Sequence, residues 1–266
     1  MIQNNVPFWK IGMWMIILAL SLANISLLWS LGGEATVADN NVNEKKPMSL
    51  DLTYIKDPGC PDCFNIELVE SELGRLAVAI GDKEILESTS SAGKKLIEKY
   101  AITKLPTVII EGKINENATL AELWPRIGKV VDGVFILTDV QPPYMDLETG
   151  TKRGDFGIVL LTDLSCKECY DVTLHQNALE GLAMVTDKIE IYDAATPSAK
   201  KYIKDYKIVK LPTLIVTGDA DAYPGFKQVW PGVGTNEPDG AYVFRSVEQM
   251  GTYRDLETGK VVVVAK

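Results

Sequence analysis

The sequence predicts an α/β protein in which one unit is written twice behind an N-terminal apolar segment. Three observations carry that expectation. First, Cys60-Pro61-Asp62-Cys63 recurs as Cys166-Lys167-Glu168-Cys169, Leu105-Pro106-Thr107 as Leu211-Pro212-Thr213, and Trp124-Pro125 as Trp230-Pro231, all at an offset of 106 residues. Second, each Cys-x-x-Cys stands between a β-prone run and a stretch with apolar residues at helical spacing. Third, Ile11 to Leu31 runs 21 residues without a charge.

The repeat is continuous between its anchors. Lys94-Lys95 falls on Lys200-Lys201, Tyr100 on Tyr206, Ile102 on Ile208, Lys104 on Lys210 and Gly112 on Gly218. Tyr144–Gly150 returns as Tyr253–Gly259 at an offset of 109, so three residues were added in the second copy after its Trp-Pro. A duplication accounts for all of this, and repeats of about a hundred residues suit two domains. The expected boundaries are 1–10 for a cytoplasmic N-terminus, 11–31 for a membrane span, 32–48 for a linker, 49–150 for the first domain and 154–266 for the second.

At 266 residues the chain is too long for one small domain and too short for three ordinary ones. Hydrophobic residues make up 46%, enough for a sizeable core, and a net charge of -9 keeps the surface soluble. A pI near 4.8 argues against nucleic acid as a partner, because tracking phosphates needs a basic surface. His175 is the single histidine, which excludes multi-histidine metal sites and leaves one candidate for any histidine-based catalysis.

The apolar run is about 30 Å long as a helix, the thickness of a bilayer's hydrocarbon core. Trp9, Trp14 and Trp29 sit near its ends, where amphipathic rings prefer the interface. Lys10 precedes the run, and Glu34 and Asp39 are the first charges after it, which orients the N-terminus inside and the rest outside. A cleaved signal peptide competes, since Thr36-Val37-Ala38 offers small residues for processing; the length of the run favours an uncleaved anchor. Either way the body of the protein is exported. Residues 32–48 are polar and aperiodic and read as a flexible tether.

Each repeat then reads in the same order. Leu50–Lys56 and Phe156–Thr162 are β-prone and end just before the cysteines. Pro61 to about Leu76, and Lys167 to about Leu182, carry Leu68, Leu73 and Leu76, and Leu174, Leu179 and Leu182, at helical spacing. Short strands follow at Lys83–Ser88 and Ile189–Asp193, then helices Ser91–Tyr100 and Pro197–Tyr206, with Ser90 and Thr196 as N-caps. Val108–Glu111 and Leu214–Thr217 open as strands directly after Leu-Pro-Thr, and Val134–Thr138 and Tyr242–Arg245 supply one more. The repeated Asp-Leu-Glu-Thr-Gly reads as a hairpin turn, with Gly150 and Gly259 where positive φ is wanted.

A Cys-x-x-Cys opening a helix sets its first sulfur among unpaired backbone N–H groups at the positive end of the helix dipole. Both stabilise a thiolate and make that cysteine a nucleophile, while the second cysteine is close enough to resolve a mixed disulfide. Two such motifs in one context, each followed some forty residues later by a hydrophobic residue, Pro and Thr, resemble the thioredoxin fold. In tandem they resemble the two-domain protein disulfide oxidoreductases and, more loosely, protein disulfide isomerases. The resemblance covers residues 50–115 and 156–220. It implies a mixed sheet flanked by helices, with Cys60 and Cys166 as attacking thiols, Cys63 and Cys169 as resolving thiols, and Pro106 and Pro212 as cis-prolines facing them. It further implies substrate contacts at Leu105, Pro106 and Thr107 and at Leu211, Pro212 and Thr213, with the backbone of Leu105 and Leu211 pairing with an extended peptide.

The chain departs from that family at several points. Gly59 and Ser165 stand where a tryptophan often precedes the dithiol, and Tyr54 and Leu160 occupy the place of a buried acid. Asp62 and Glu168 near the sulfurs oppose thiolate formation and make the sites less oxidising. Zinc binding competes, since the spacing suits zinc knuckles, but neither pair has a second ligand pair nearby. Structural disulfides compete too, though a ring closed over two residues removes little loop entropy. His175 reads as an exposed or partly buried helix residue, the paired lysines as a solvated face, and the two Trp-Pro as core packing at a turn.

The expected function is that of an extracytoplasmic thiol–disulfide oxidoreductase tethered by residues 11–31, with its cysteines as redox centre, no further cofactor and no metal. Its partners would be cysteine-containing exported proteins, a membrane redox partner and the bilayer. A peptide-binding, chaperone-like module, an electron relay between the two pairs and a metal-delivery protein are the rivals.

Overall fold

The computed structural model describes residues 48–76 and 78–264. The expected membrane span at 11–31, and the linker up to residue 47, lie outside the described residues. Among the described residues no helix is long and apolar enough to cross a membrane.

The first repeat runs β1 (Ser49–Lys56), the Cys60–Cys63 turn, α1 (Leu68–Arg75), β2 (Ala79–Glu87), α2 (Ser91–Lys99), β3 (Lys104–Leu105), β4 (Thr107–Gly112), α3 (Ala118–Ile127), β5 (Gly128–Val131) and β6 (Val134–Leu137). A hairpin of β7 (Tyr144–Asp146) and β8 (Thr151–Arg153) closes it. The second repeat runs β9 (Phe156–Thr162), the Cys166–Cys169 turn, α4 (Leu174–Glu180), β10 (Ile189–Asp193), α5 (Pro197–Asp205), β11 (Lys210–Leu211), β12 (Thr213–Gly218), α6 (Pro224–Val229), β13 (Gly234–Asn236), β14 (Tyr242–Phe244), β15 (Tyr253–Asp255) and β16 (Val261–Val262).

Two five-stranded sheets result, ordered β2-β1-β4-β6-β5 and β10-β9-β12-β14-β13, and two small ones, β3-β7-β8 and β11-β15-β16. In each large sheet the strand before the cysteines pairs parallel on one side and antiparallel on the other. Both repeats are therefore similarly built mixed α/β sheets, an arrangement consistent with thioredoxin-like domains in tandem. The period-two alternation of the strands serves a core on each face. Leu50, Leu52, Tyr54, Val108 and Ile110 join one cluster, while Ile55 and Ile109 join another on the opposite face.

The caps form as the sequence predicts: Ser90 Oγ accepts from Gly93 N at 3.0 Å and Thr196 Oγ1 from Ala199 N at 3.2 Å. Gly150 (φ 67°) and Gly259 (φ 70°) take the left-handed conformation the repeated turn requires. Trp124 and Trp230 are buried core residues, as expected. Pro125, however, lies inside α3 rather than at a turn.

The helices after the cysteines depart from expectation. They begin at Leu68 and Leu174, beyond the dithiol turns, instead of at Pro61 and Lys167. Asn65 Oδ1 accepts from Glu67 N at 3.2 Å, and Asp171 Oδ1 from Thr173 N at 2.9 Å, local turns that compete with helix. The amides of Phe64 and Tyr170 are drawn away as well, to Pro143 O at 2.7 Å and Thr252 O at 2.9 Å.

Contacts between the repeats gather on β8 and the loop after it. Arg153 grips Asp219 through Nε at 2.5 Å and Nη2 at 3.1 Å, and Gly154 N donates to the same carboxylate at 2.8 Å. Tyr223 Oη donates to Gly154 O at 3.0 Å. Both repeats lie within one compact unit, Lys46–Lys266.

Candidate active site

Cys60–Cys63 and Cys166–Cys169 are both disulfides, with Cα atoms 5.3 Å and 5.5 Å apart. Each sits in a turn prepared by an aspartate. Cys60 N donates to Asp57 O at 3.1 Å and Cys166 N to Asp163 O at 3.0 Å. The same aspartates use a side-chain oxygen to hold Gly59 N at 2.7 Å and Ser165 N at 2.9 Å. Asp57 and Asp163 are equivalent in the repeat, a signal that was readable in the sequence. Because α1 and α4 start later, the sulfurs sit in these turns and not on a helix N-terminus, and the stabilisation expected from helix dipoles is not supplied there.

Leu105–Pro106 and Leu211–Pro212 are cis, as the resemblance implies. Pro106 lines the same cleft as Cys60 and Cys63, and Cys169 Sγ lies 4.0 Å from Leu211 O. As residues, Cys60 and Cys166 are buried, while Cys63 and Cys169 are half-buried and the more accessible of each pair.

The expected peptide edge is already filled. Leu105 pairs antiparallel with Met145 of β7, and Leu211 with Arg254 of β15. The chain's own hairpin therefore lies along the backbone that was expected to receive a substrate. Thr107 and Thr213 do not face outward either. Both are fully buried, and their hydroxyls donate to Leu137 O at 2.6 Å and Phe244 O at 2.8 Å, bracing β4 and β12 to the next strand.

The two dithiols have different surroundings. At the first, Asp62 Oδ1 lies 3.8 Å from Cys60 Sγ, and its other oxygen pairs with Lys152 of β8. That ammonium holds the Asp62 carboxyl below the usual carboxylate range. The carboxylate expected to oppose a thiolate is thus partly neutralised. At the second, Arg254 of β15 pairs with Asp163 and reaches Ser165 Oγ at 3.3 Å. Burial works against charge at Asp163, but Ser165 and Arg254 outweigh it and keep its pKa low. Neither cation is reproduced in the other repeat: Met145 stands opposite Arg254, and Val261 opposite Lys152.

His175 differs from expectation. It is buried, 2% exposed, where repeat one has Val69. Tyr170 Oη donates to Pro212 O at 2.7 Å, so its contact with His175 Nε2 at 2.9 Å must be accepted from an Nε2–H. Burial lowers the His175 pKa to about 4 and raises that of Tyr170. The ring of Phe244 packs edge-on against His175 at 4.8 Å. The imidazole is a neutral brace behind the second dithiol. Among the described residues no group of three or more His, Cys, Asp or Glu side chains converges on a common point.

Fold and sites together define a chain with two similarly built α/β units, each carrying a Cys-x-x-Cys disulfide next to a cis-proline. No model of a protein family matches the sequence, and no curated protein matches it. Solved structures that match include the alkylhydroperoxide reductase AhpF of Enterococcus faecalis, 15% identical over 65% of this chain and 83% of that one, with a TM-score of 0.19. Full-length ERdj5 matches at 8% identity over 79% of this chain and 31% of that one, with a TM-score of 0.18.

Proposed function

We propose that this chain is an extracytoplasmic thiol–disulfide oxidoreductase, tethered to the membrane by residues 11–31 and acting on cysteine-containing exported proteins. The observation that carries the reading is the pairing, in both repeats, of a closed Cys-x-x-Cys disulfide with a cis-proline. A substrate thiolate attacks one sulfur, the protein disulfide opens to a mixed disulfide, and the freed cysteine leaves as a thiolate. A second substrate thiolate completes the exchange, and a membrane redox partner restores the protein pair. Run backwards, the same steps reduce a substrate disulfide. The unequal surroundings of the pairs favour unequal potentials, with one pair facing substrate and the other reloading it.

The test is a redox titration of the full chain in glutathione buffers, followed by alkylation and separate readout of each pair by peptide mass spectrometry. Two reversible transitions at different potentials are expected. A protein in which neither pair reduces, or in which alkylation waits for a chelator, is not an oxidoreductase of this kind.

A further inference from the structure

The strand edge beside Pro106 is occupied by β7, so a substrate for the first dithiol needs another approach. A cleft of about 390 Å³ supplies one. It is lined by Lys56, Cys60, Cys63, Ile85, Glu87 and Pro106, and by no residue of the β7–β8 hairpin. Its rim is the end of β2, the edge strand of the first large sheet, whose outer side has no strand partner among the described residues. Ile85 on that strand is 51% exposed, a large apolar side chain beside a reactive disulfide. Asp82, Glu84 and Glu87 are exposed along the same strand, and Lys83 between them is paired with Glu70 at 2.6 Å.

The second repeat has the same edge but anchors its end differently. Ile191, equivalent to Ile85, is 52% exposed. There Asp193 accepts from Leu164 N at 2.7 Å and from Ala195 N at 2.9 Å, which ties the end of β10 to the dithiol turn. In the first repeat the residue equivalent to Leu164 is Pro58, which has no N–H, and Glu87 is equivalent to Asp193. That tie to the backbone is absent, and the end of β2 is held to the turn by a longer side-chain contact, Ser88 Oγ to Asp57 Oδ2 at 3.4 Å.

From this geometry we infer that, within the oxidoreductase reading, Cys60–Cys63 takes its substrate as an extended cysteine-bearing peptide laid along the outer edge of β2. Backbone pairing to a free edge gives such a peptide affinity without demanding a sequence, and the side chains flanking it set the preference. An apolar residue packs on Ile85, and a lysine or arginine meets Glu84 and Glu87. One peptide thiolate breaks the Cys60–Cys63 bond, forming a peptide–protein disulfide and releasing the other cysteine as a thiolate. The peptide's second thiolate then displaces the protein and closes the peptide disulfide. Two electrons pass from peptide to protein, while the peptide thiols give their protons to solvent on ionising and the protein thiolates take protons from it.

The experiment uses the full chain with Cys166→Ser and Cys169→Ser, oxidised, mixed with short synthetic peptides that carry two cysteines flanked by either lysines or glutamates. Ile85→Asp is expected to slow reduction of Cys60–Cys63 by the lysine peptide about tenfold, while Ile191→Asp leaves it unchanged. Glu87→Lys is expected to remove a preference for the lysine peptide of about threefold at low salt. Equal rates for Ile85→Asp and the parent, with the preference intact in Glu87→Lys, overturn the site. Dithiothreitol separates the two levels of the claim. If it reduces Cys60–Cys63 equally in all variants, a null peptide result sinks only the docking site; if it reduces the pair in none, the oxidoreductase reading falls as well.

Discussion

Tyr170 Oη donates a 2.7 Å hydrogen bond to Pro212 O, so the residue that follows the second dithiol holds the carbonyl of the cis-proline beside it. The first repeat has Phe64 in that place and makes no such bond. Tyr170→Phe leaves a buried carbonyl and the His175 donor without their partner, and is expected to cost about 1–2 kcal/mol in denaturant unfolding. The redox midpoint of Cys166–Cys169 should move in that variant while that of Cys60–Cys63 stays. Equal movement of both midpoints, or of neither, removes Tyr170 as a positioning residue.

His175 gives the protein an acid sensitivity with a definite sign. Its folded pKa of about 4 lies below the ordinary 6.5, so between those values the unfolded chain binds a proton the native protein refuses. Stability is therefore unaffected by this group above pH 6.5 and falls as pH drops towards 4, at about 1.4 kcal/mol per pH unit in the limit. His175→Val, which installs the residue of the first repeat, should flatten that part of the stability curve. Chemical denaturation at several pH values reads the slope directly, and the chain has no other histidine to confuse it.

Lys152 and Asp62 set the charge beside the first dithiol. Removing the ammonium in Lys152→Met leaves the carboxylate 3.8 Å from Cys60 Sγ unopposed, which raises the thiol pKa in the reduced protein. Alkylation of the reduced first pair at pH 7 should slow by about two- to fivefold in Lys152→Met and accelerate in Asp62→Asn. In the double variant the loss of Lys152 should matter little. A rate that follows Lys152 even without Asp62 contradicts this account.

The two tryptophans make a matched comparison. Trp230 Nε1 donates to Thr235 O at 3.3 Å, whereas Trp124 Nε1 is buried with no partner among the described residues. Trp124→Phe relieves an unmet donor and loses some ring area, so it should change stability by less than about 1 kcal/mol, with Trp230→Phe costing about 1 kcal/mol more. Thermal unfolding of the pair under one condition decides the order.

Much of the scaffold is visible in local patterns. Phe156–Thr162 is a nearly continuous apolar run that reads as a buried strand, Leu50–Lys56 alternates Leu50, Leu52 and Tyr54 with polar residues, and Ser90 and Thr196 announce their helices. The dithiol turns are harder to read. Leu68, Leu73 and Leu76 keep helical spacing, yet the helix waits until Leu68 because Phe64 N bonds to Pro143, far along the chain. No local pattern encodes that bond, though Asn65 and Asp171 at equivalent positions hint at a turn. Helix α3 escapes notice for the opposite reason: Pro125 reads as a breaker but sits near the end of a helix begun by Asn117, whose Oδ1 accepts from Leu120 N at 3.1 Å. Lys152 and Arg254 reach the dithiol turns across folds of the chain, and Tyr170, though it follows Cys169 directly, meets the Pro212 carbonyl only in the assembled protein.

The hairpin of the first repeat is bound to the dithiol region on both sides of its ladder with β3. Pro143 O receives Phe64 N just past the second cysteine, and Leu147 N bonds to Thr103 O next to the strand that leads into Pro106. Anything that lifts this hairpin must break these bonds, the β3–β7 ladder and the Lys152–Asp62 pair in one event, which frees the backbone of Leu105. The amides of Phe64 and Leu147 accordingly belong to a single opening unit and should share one hydrogen-exchange rate, distinct from that of β1 beneath them. The clasp makes release of the Leu105 edge an all-or-none event, while the cleft over the cysteines stays open whether or not the hairpin is seated.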